Sequence, residues 1–264
     1  MSSLGKRFQI VSDIHIEKLS LDFTNLKVDL EKFIKPSAPH LIIAGDLGRV
    51  ENYDNYKNTV QELCGMFKTV ILVPGNHEYY SKNHLPIDYI NFKLKCLQDS
   101  IENLTILLNE TILVDDVLIY GSTFWSKCVT NKFLSKEIFK RDKIWGPTMI
   151  SKEVFNQMHQ EAVIDLKKAT ELARETGKKL VVVTHYPSTF KDVLDPKYYN
   201  EDPQTKQKNC MYGSKNDHLL NDSVILTWVY GHTGYNGRVG KLISNQVNRH
   251  GYMKDAVLKV KSRL

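Results

Sequence analysis

No apolar run in the 264-residue chain approaches the ~18 residues that a membrane-spanning helix needs. No membrane association is therefore expected. The first seven residues, Met1 to Arg7, carry no apolar core, so no secretory leader is expected either. Cysteine is scarce and scattered. Cys64, Cys96, Cys128 and Cys210 form no Cys-x-x-Cys pair, which excludes a zinc ribbon and predicts no disulfide framework. That usage fits a reducing, cytoplasmic setting. Internal repeats, low-complexity tracts and linker-like stretches are also missing, so residues 1–264 read as one domain, long enough to bury a full core. Acidic charge is nearly absent from the C-terminal end. From Gly237 onward seven Lys and Arg face Asp255 alone, and this tail carries the whole net charge of +6. Its basic residues are spread rather than clustered, as on a solvated face, although an anionic partner would also meet them there.

What is present is organised around one stretch, Val73-Pro74-Gly75-Asn76-His77-Glu78. A run of β-branched residues from Val70 empties into a break at Pro74-Gly75, and an amide, an imidazole and a carboxylate follow. Four other stretches share this grammar. Phe8 to Val11 leads into Asp13-Ile14-His15, His40 to Ala44 into Gly45-Asp46, Leu180 to Val183 into Thr184-His185, and Leu226 to Tyr230 into Gly231-His232. Each is a short apolar run of the buried-strand kind. Open α/β sheets place ligands where strands end in such turns. Five exits with one chemistry predict one site at one sheet edge.

Between these strands the pattern switches to helical spacing. Helices are expected near Val28 to Ile34, from Tyr53 to Phe67 and from Ile87 to Ser100. Strand and helix in alternation predict an α/β fold with parallel strands and helices outside. Leu104 to Leu108, Thr111 to Val114 and Val117 to Tyr120 lie too close together for helical crossovers, so there the sheet turns antiparallel or a second sheet begins. Phe124 to Ile150 has no clean period and mixes aromatic with basic residues, as a lid or binding loop does. Ser151 caps a long helix that Gly177 stops. Pro187 to Asn216 is a second irregular stretch, with Tyr198, Tyr199 and Tyr212, and strand-like runs follow at Lys241 to Ser244 and Ala256 to Val260.

The donors at the exits are Asp13, His15, Asp46, Asn76, His185 and His232. Carboxylate, imidazole and amide oxygen without thiolate suit Mn²⁺ first, with Fe or Zn²⁺ as alternatives, better than the all-oxygen shells of Ca²⁺ and Mg²⁺. Six donors exceed one tetrahedral shell and match two adjacent divalent ions sharing a carboxylate. Ions paired at about 3.5 to 4 Å are a standard device for phosphate-ester hydrolysis. The leaving alkoxide then needs a proton, and His77, next to Asn76, can supply it. Arg49, Arg141 and Tyr186 are candidate substrate contacts.

Taken in order, Asp13-Ile14-His15, Gly45-Asp46, Gly75-Asn76-His77-Glu78, Thr184-His185 and Gly231-His232 make the chain resemble the calcineurin-like metallophosphoesterases. The resemblance implies a four-layer α/β/β/α sandwich, with two facing mixed sheets and helices outside. It also implies that Asp13 and His15 hold a first ion, that Asp46 bridges, that Asn76, His185 and His232 hold a second, and that His77 is the proton donor. Gly121-Ser122-Thr123-Phe124-Trp125, Thr184-His185-Tyr186-Pro187-Ser188 and Trp228-Val229-Tyr230-Gly231-His232 are similar to the small cytosolic branch of that family.

Three departures qualify the resemblance. Gly234 stands where the family has a further metal-ligand histidine, so the first ion loses a donor, is expected to be weak or displaced, and leaves water or Asn236 to fill the gap. Gly45-Asp46 continues Leu47-Gly48-Arg49, without the second aspartate of the protein Ser/Thr phosphatase signature. The carboxylate that usually orients the proton-donating histidine is lost with it, leaving Glu51 or Glu78 as substitutes. The expected function is hydrolysis of a small phosphate mono- or diester, with nucleotides among the candidates and nucleic acid not excluded. The alternative is a scaffold on the same fold, its site weakened at Gly234. The sequence sets no oligomeric state.

Overall fold

The computed structural model describes residues 6–19, 21–22, 24–114, 116–195, 208–209, 211–247 and 257–260. In chain order the first half runs β1 (Lys6–Val11), α1 (Leu26–Glu31), β2 (His40–Ala44), α2 (Tyr53–Met66), β3 (Thr69–Val73), the single turn α3 (Asn76–Tyr79), α4 (Ile87–Asp99) and β4 (Leu104–Ile106). The second half runs β5 (Glu110–Val114), β6 (Val117–Ser122), β7 (Phe139–Asp142), β8 (Gly146–Met149), α5 (Lys152–Glu175), β9 (Lys179–Thr184), β10 (Ile225–Tyr230), β11 (Gly237–Val239), β12 (Leu242–Ser244) and β13 (Val257–Val260).

Two sheets result. The first has the order β13-β1-β2-β3-β4, with β1 to β4 parallel and β13 antiparallel at the edge. The second has the order β11-β12-β10-β9-β6-β5, with β12, β10, β9 and β6 parallel and its two edge strands antiparallel. Strand alternation sends one side of each sheet inward. Phe8, Ile10, Ile42, Ile71 and Val73 meet Ile119, Val181, Val183, Val229 and Ile243 between the sheets. The opposite side of the first sheet packs under helices through Leu41, Ile43, Val70 and Leu72 against Leu30, Tyr56, Leu63, Ile90 and Leu94. The opposite side of the second packs on α5 through Leu118, Tyr120 and Val182 against Ala162, Leu166 and Ala169. Strands covered on both faces are apolar throughout, as in parallel sheets generally. The four-layer α/β/β/α sandwich is the observed architecture.

Local chemistry sets the boundaries. Ser151 caps α5, its side chain accepting from Val154 N–H, and Gly177 ends it in left-handed backbone at φ 63°. The run from Leu104 joins the first sheet as a parallel edge strand, and the second sheet begins at β5, antiparallel to β6. The aperiodic stretch from Phe124 contains the hairpin β7–β8. Its strands hide in the sequence because only Phe139 is buried, while the other residues of both strands are half-buried or exposed. β11 pairs over three residues and carries no apolar pattern of its own. Tyr198, Tyr199 and Cys210 lie outside the described residues, as do Arg249, Lys254, Asp255, Lys261 and Arg263 of the basic tail. Among the described residues no helix is long and apolar enough to cross a membrane.

Register is what matters for the site. Val11 stands beside Ile43, and Ala44 beside Val73, so β1, β2 and β3 end at one edge. In the second sheet Val183 pairs with both Gly121 and Val229, so β6, β9 and β10 also end together. His185 Nδ1 reaches the Ala44 carbonyl at 2.9 Å and ties the two edges to each other.

Candidate metal centre

Four of the candidate donors leave their strands through left-handed backbone: Asp13 at φ 56°, His15 at 52°, Asp46 at 55° and His232 at 73°. Non-glycine residues in this region cost free energy and persist where the surroundings hold them. Here each is held. Asp13 N–H donates to Gly45 O at 3.0 Å and His15 N–H to Asp46 O at 3.0 Å, while His232 N–H meets both Asp13 carboxylate oxygens at 3.0 and 3.1 Å. The turns that follow β1, β2 and β10 are thereby sewn together. Gly45 and Gly75 permit the approach. A Cβ at Gly45 would stand 2.3 Å from His185 Nδ1, and one at Gly75 would stand 2.3 Å from Asp46 Oδ1. No side chain fits either place without moving a donor.

The donors fall into two overlapping groups that share Asp46. Asp13, His15 and Asp46 bring one ligand atom each within 4.8 Å of one another, and so do Asp46, His185 and His232. His185 Nε2 stands 3.2 Å from Asp46 Oδ1 and 2.9 Å from Asn76 Oδ1, and His232 Nδ1 stands 3.2 Å from the same His185 nitrogen. On the other side His15 Nε2 lies 3.8 Å from Asp46 Oδ2. Five oxygen and nitrogen donors thus surround one shared carboxylate, with Asp13, Asp46, Asn76 and His185 all buried. Two buried carboxylates beside three imidazoles are chemically suited to divalent cations, since ion-free burial of such groups is costly.

The electrostatics agree with that reading. Burial, aided by the neighbouring Asp46, pushes the Asp13 carboxyl up. Burial would raise Asp46 as well, but the adjacent His185 outweighs it and holds the carboxyl well below the usual range. Burial works to lower His185, yet Asp46, Asp13 and the Ala44 carbonyl together carry it up to about 9, whereas burial and the positive His185 drive His232 down to about 3. His232 therefore stays neutral, its Nε2–H donating to the Met211 carbonyl and its Nδ1 lone pair left to ligate. A cation would replace the proton that His185 borrows from the cluster.

His77 sits on the single turn after Gly75, with its N–H donating to Asp46 Oδ1 at 2.8 Å and its Nε2 3.9 Å from Asp46 Oδ2. Its Nδ1 is 2.8 Å from Glu17 Oε1, and His15 Nδ1 is 3.3 Å from that same oxygen. One carboxylate oxygen thus orients both rings so that both Nε2 atoms face Asp46. Burial opposes ionisation of Glu17, but these two histidines pull its carboxyl down to about 2. Glu17, rather than Glu51 or Glu78, is the partner of His77. Glu51 serves Ser81 and the amides of Lys82 and Asn83. Glu78 is fully buried and accepts from the N–H groups of Gly75, Asp46, Leu47 and Gly48, so it clamps the exits of β2 and β3. Glu17 lies two residues past His15, on the short 3-10 turn Ile16–Lys18, and the Asp-x-His-x-Glu spacing is the one signal that could have found it.

The remaining candidates are placed unequally. Tyr186 is buried with its ring 4.0 Å from that of His232. Arg49 is bound to Glu137 by two contacts at 3.0 and 3.3 Å and lies 3.6 Å from Glu51. Arg141 sits on the exposed hairpin, paired with Asp88 at 2.9 Å, away from the shared carboxylate. Gly234 has left-handed backbone at φ 69°, and a Cβ there would meet nothing within 4 Å. Asn236 does not fill the missing place, because its amide bonds the Gln246 backbone at both ends. Of the other histidines, His159 is bonded to the Trp125 carbonyl, His40 packs on Phe8, and His250 lies outside the described residues.

A family model described as calcineurin-like phosphoesterase matches residues 6–235. An uncharacterized protein of Acanthamoeba polyphaga mimivirus is 27% identical over 261 residues, covering 92% of this chain and 90% of that protein. Among solved structures, the phosphopantetheinyl hydrolase of Mycobacterium tuberculosis is similar with a TM-score of 0.62 at 17% identity, covering 92% of this chain and 89% of that one. A dimetal phosphatase of Danio rerio is similar with a TM-score of 0.53 at 11% identity, covering 99% of this chain and all of the other. At these identities the two structures speak to the fold.

Proposed function

The chain belongs to the calcineurin-like phosphoesterase family, and from that membership we propose that it hydrolyses small phosphate esters at two divalent ions sharing Asp46. The observation that carries the reading is the overlap of two donor groups on that one buried carboxylate. Asp13 and His15 would hold one ion with Asp46, and Asn76, His185 and His232 the other. The mixed oxygen and nitrogen set favours Mn²⁺, with Fe or Zn²⁺ as alternatives. What such ions supply when bound is charge neutralisation at the phosphoryl oxygens and a more acidic water.

The chain's own residues do the rest. A P–O bond to the oxygen of one water replaces the P–O bond to the alcohol, so one water is consumed and an alcohol and a phosphate are released. His77 Nε2 gives its proton to the departing alcohol oxygen, and the ring regains a proton from the water that was consumed. His77 acts as the imidazolium: its Nδ1–H donates to the Glu17 carboxylate, Tyr80 packs on the ring at 4.7 Å, and its Nε2–H faces the reaction. Residues 1–264 act as one catalytic domain in this reading. Four widely spaced cysteines with no Cys-x-x-Cys pair support a reducing, cytoplasmic location in this reading.

Gly234 supports a second reading, a weakened site kept for protein contacts. One experiment separates the two. Protein stripped with chelator and then given Mn²⁺, Zn²⁺ or Fe²⁺ should recover hydrolysis of p-nitrophenyl and bis-p-nitrophenyl phosphate from a negligible base. Absence of turnover with every metal would favour the scaffold.

A further inference from the structure

A cavity of about 160 Å³ opens beside His232 and is lined by Tyr80, Leu134, Phe155, Tyr186 and Tyr212 among others. It adjoins the centre at both ends. Tyr186 lies 4.0 Å from the His232 ring, and Tyr80 lies 4.7 Å from the His77 ring, measured between ring centres. A group seated there would hang from an oxygen within reach of the imidazole that donates the proton.

The lining is chemically selective. It is aromatic and aliphatic, with Ser135, tyrosine hydroxyls and His232 as its polar points, and among the described residues it contains no Lys, Arg, Asp or Glu. Pockets of this kind recognise apolar bodies and orient them with a few polar groups. The Arg49 guanidinium lies 5.7 Å from the Tyr80 ring but is held by Glu137. A second phosphate or a polyol would leave water for a wall that offers too few partners. Size narrows the class further. An apolar cavity of about 150 Å³ holds one benzene ring, so this one takes a single ring or a branched aliphatic group and is small for a purine nucleoside.

We propose that this cavity receives the alcohol half of the ester, and that the preferred substrates are phosphate esters of uncharged, apolar alcohols carrying one ring or an equivalent branched chain. The proposal rests on the phosphoesterase reading above. It assigns Tyr80, Leu134, Phe155, Tyr186 and Tyr212 to substrate selection and removes charged esters, polyol esters and nucleic acid from the favoured set.

The test compares benzyl phosphate with ethyl phosphate on metal-loaded full-length protein. Both release alkyl alcohols of similar basicity, so a difference reports the pocket and not the chemistry. A pocket that gains from even one methylene discriminates at least about tenfold, so kcat/KM for benzyl phosphate should exceed that for ethyl phosphate by at least about tenfold. It should also exceed that for glycerol 2-phosphate and adenosine monophosphate. Leu134→Trp fills the cavity from a half-buried position outside the reacting groups. It should abolish the benzyl preference by lowering kcat/KM for benzyl phosphate to about that for ethyl phosphate. On the unmodified chain, benzylphosphonate should compete with ethyl phosphate at least about tenfold more tightly than ethylphosphonate does, a readout that needs no variant. Equal kcat/KM for the benzyl and ethyl esters with equal inhibition by the two phosphonates, or a preference for the nucleotide, would overturn the assignment and leave phosphoesterase activity standing. No turnover of any ester would overturn the reading on which it rests, and the assignment with it.

Discussion

Replacing Glu17 by alanine removes the one oxygen, Oε1, that stands 2.8 Å from His77 Nδ1 and 3.3 Å from His15 Nδ1. The two distances predict unequal consequences. The shorter contact lies in the charge-assisted range, and the longer lies outside it. The carboxyl is pulled down to about 2 from an ordinary value of 4.5, so it is ionised throughout any assay near neutrality. Because its folded value is depressed, the stability it contributes is full above about pH 4.5 and fades as pH falls through about 2. A hydrogen bond to a charged group is worth about 1.5 to 3 kcal/mol. If that anchoring is what aims His77 Nε2, its loss lowers kcat about 10- to 100-fold, at ~1.4 kcal/mol per factor of ten. General acid catalysis as a whole is worth about 10²- to 10⁴-fold, so Glu17→Ala should cost less than His77→Ala. The assay is paired: steady-state hydrolysis of an alkyl phosphate, which needs the proton, and of p-nitrophenyl phosphate, which leaves without one, both at saturating metal. The alkyl ester should lose most of the 10- to 100-fold, the nitrophenyl ester little, and Glu17→Gln should recover part of the difference. Equal losses on both substrates would place the role of Glu17 at His15 alone. No loss on either would refute the positioning argument.

His77→Ala should keep the bound metal and lose about 10²- to 10⁴-fold on alkyl esters; metal analysis beside kinetics checks it, and loss of the metal itself would reassign His77 to structure. Gly234→His places an imidazole where an added Cβ meets nothing within 4 Å, on left-handed backbone that His232 already adopts. It should tighten the first ion by about tenfold or more and raise turnover at limiting metal. An unchanged metal titration would show that the missing donor is already compensated.

Much of the centre was legible because each donor lies within four residues of the end of a buried apolar strand, with Asp46, Asn76 and His232 directly after a Gly. Asp13, His15, Asp46, Asn76, His185 and His232 are all placed by that rule, and parallel register brings their strands to one edge. Glu17 escaped it. It lies on a 3-10 turn and meets His77, sixty residues away in sequence, only because β1 and β3 flank β2. Glu78 looked like a candidate orienter, but four backbone N–H groups of the neighbouring turns claim its carboxylate, a demand visible only in three dimensions. Arg49 and Arg141 were singled out for charge alone, and charge does not say which carboxylate a guanidinium will find. The hairpin β7–β8 was hidden because it lies flat on the surface and buries little.

The central claim is that one buried carboxylate organises two ions, and counting ions per chain tests it most directly. Metal-stripped protein titrated with Mn²⁺ and measured by elemental analysis should bind two ions per chain. The ion held by Asn76, His185 and His232 should fill first, and the one held by Asp13 and His15 second. Asp46→Asn should weaken both steps together, since both donor groups include that residue. A single ion at saturation, or an Asp46→Asn protein that loses only one of two, would contradict the shared-carboxylate account.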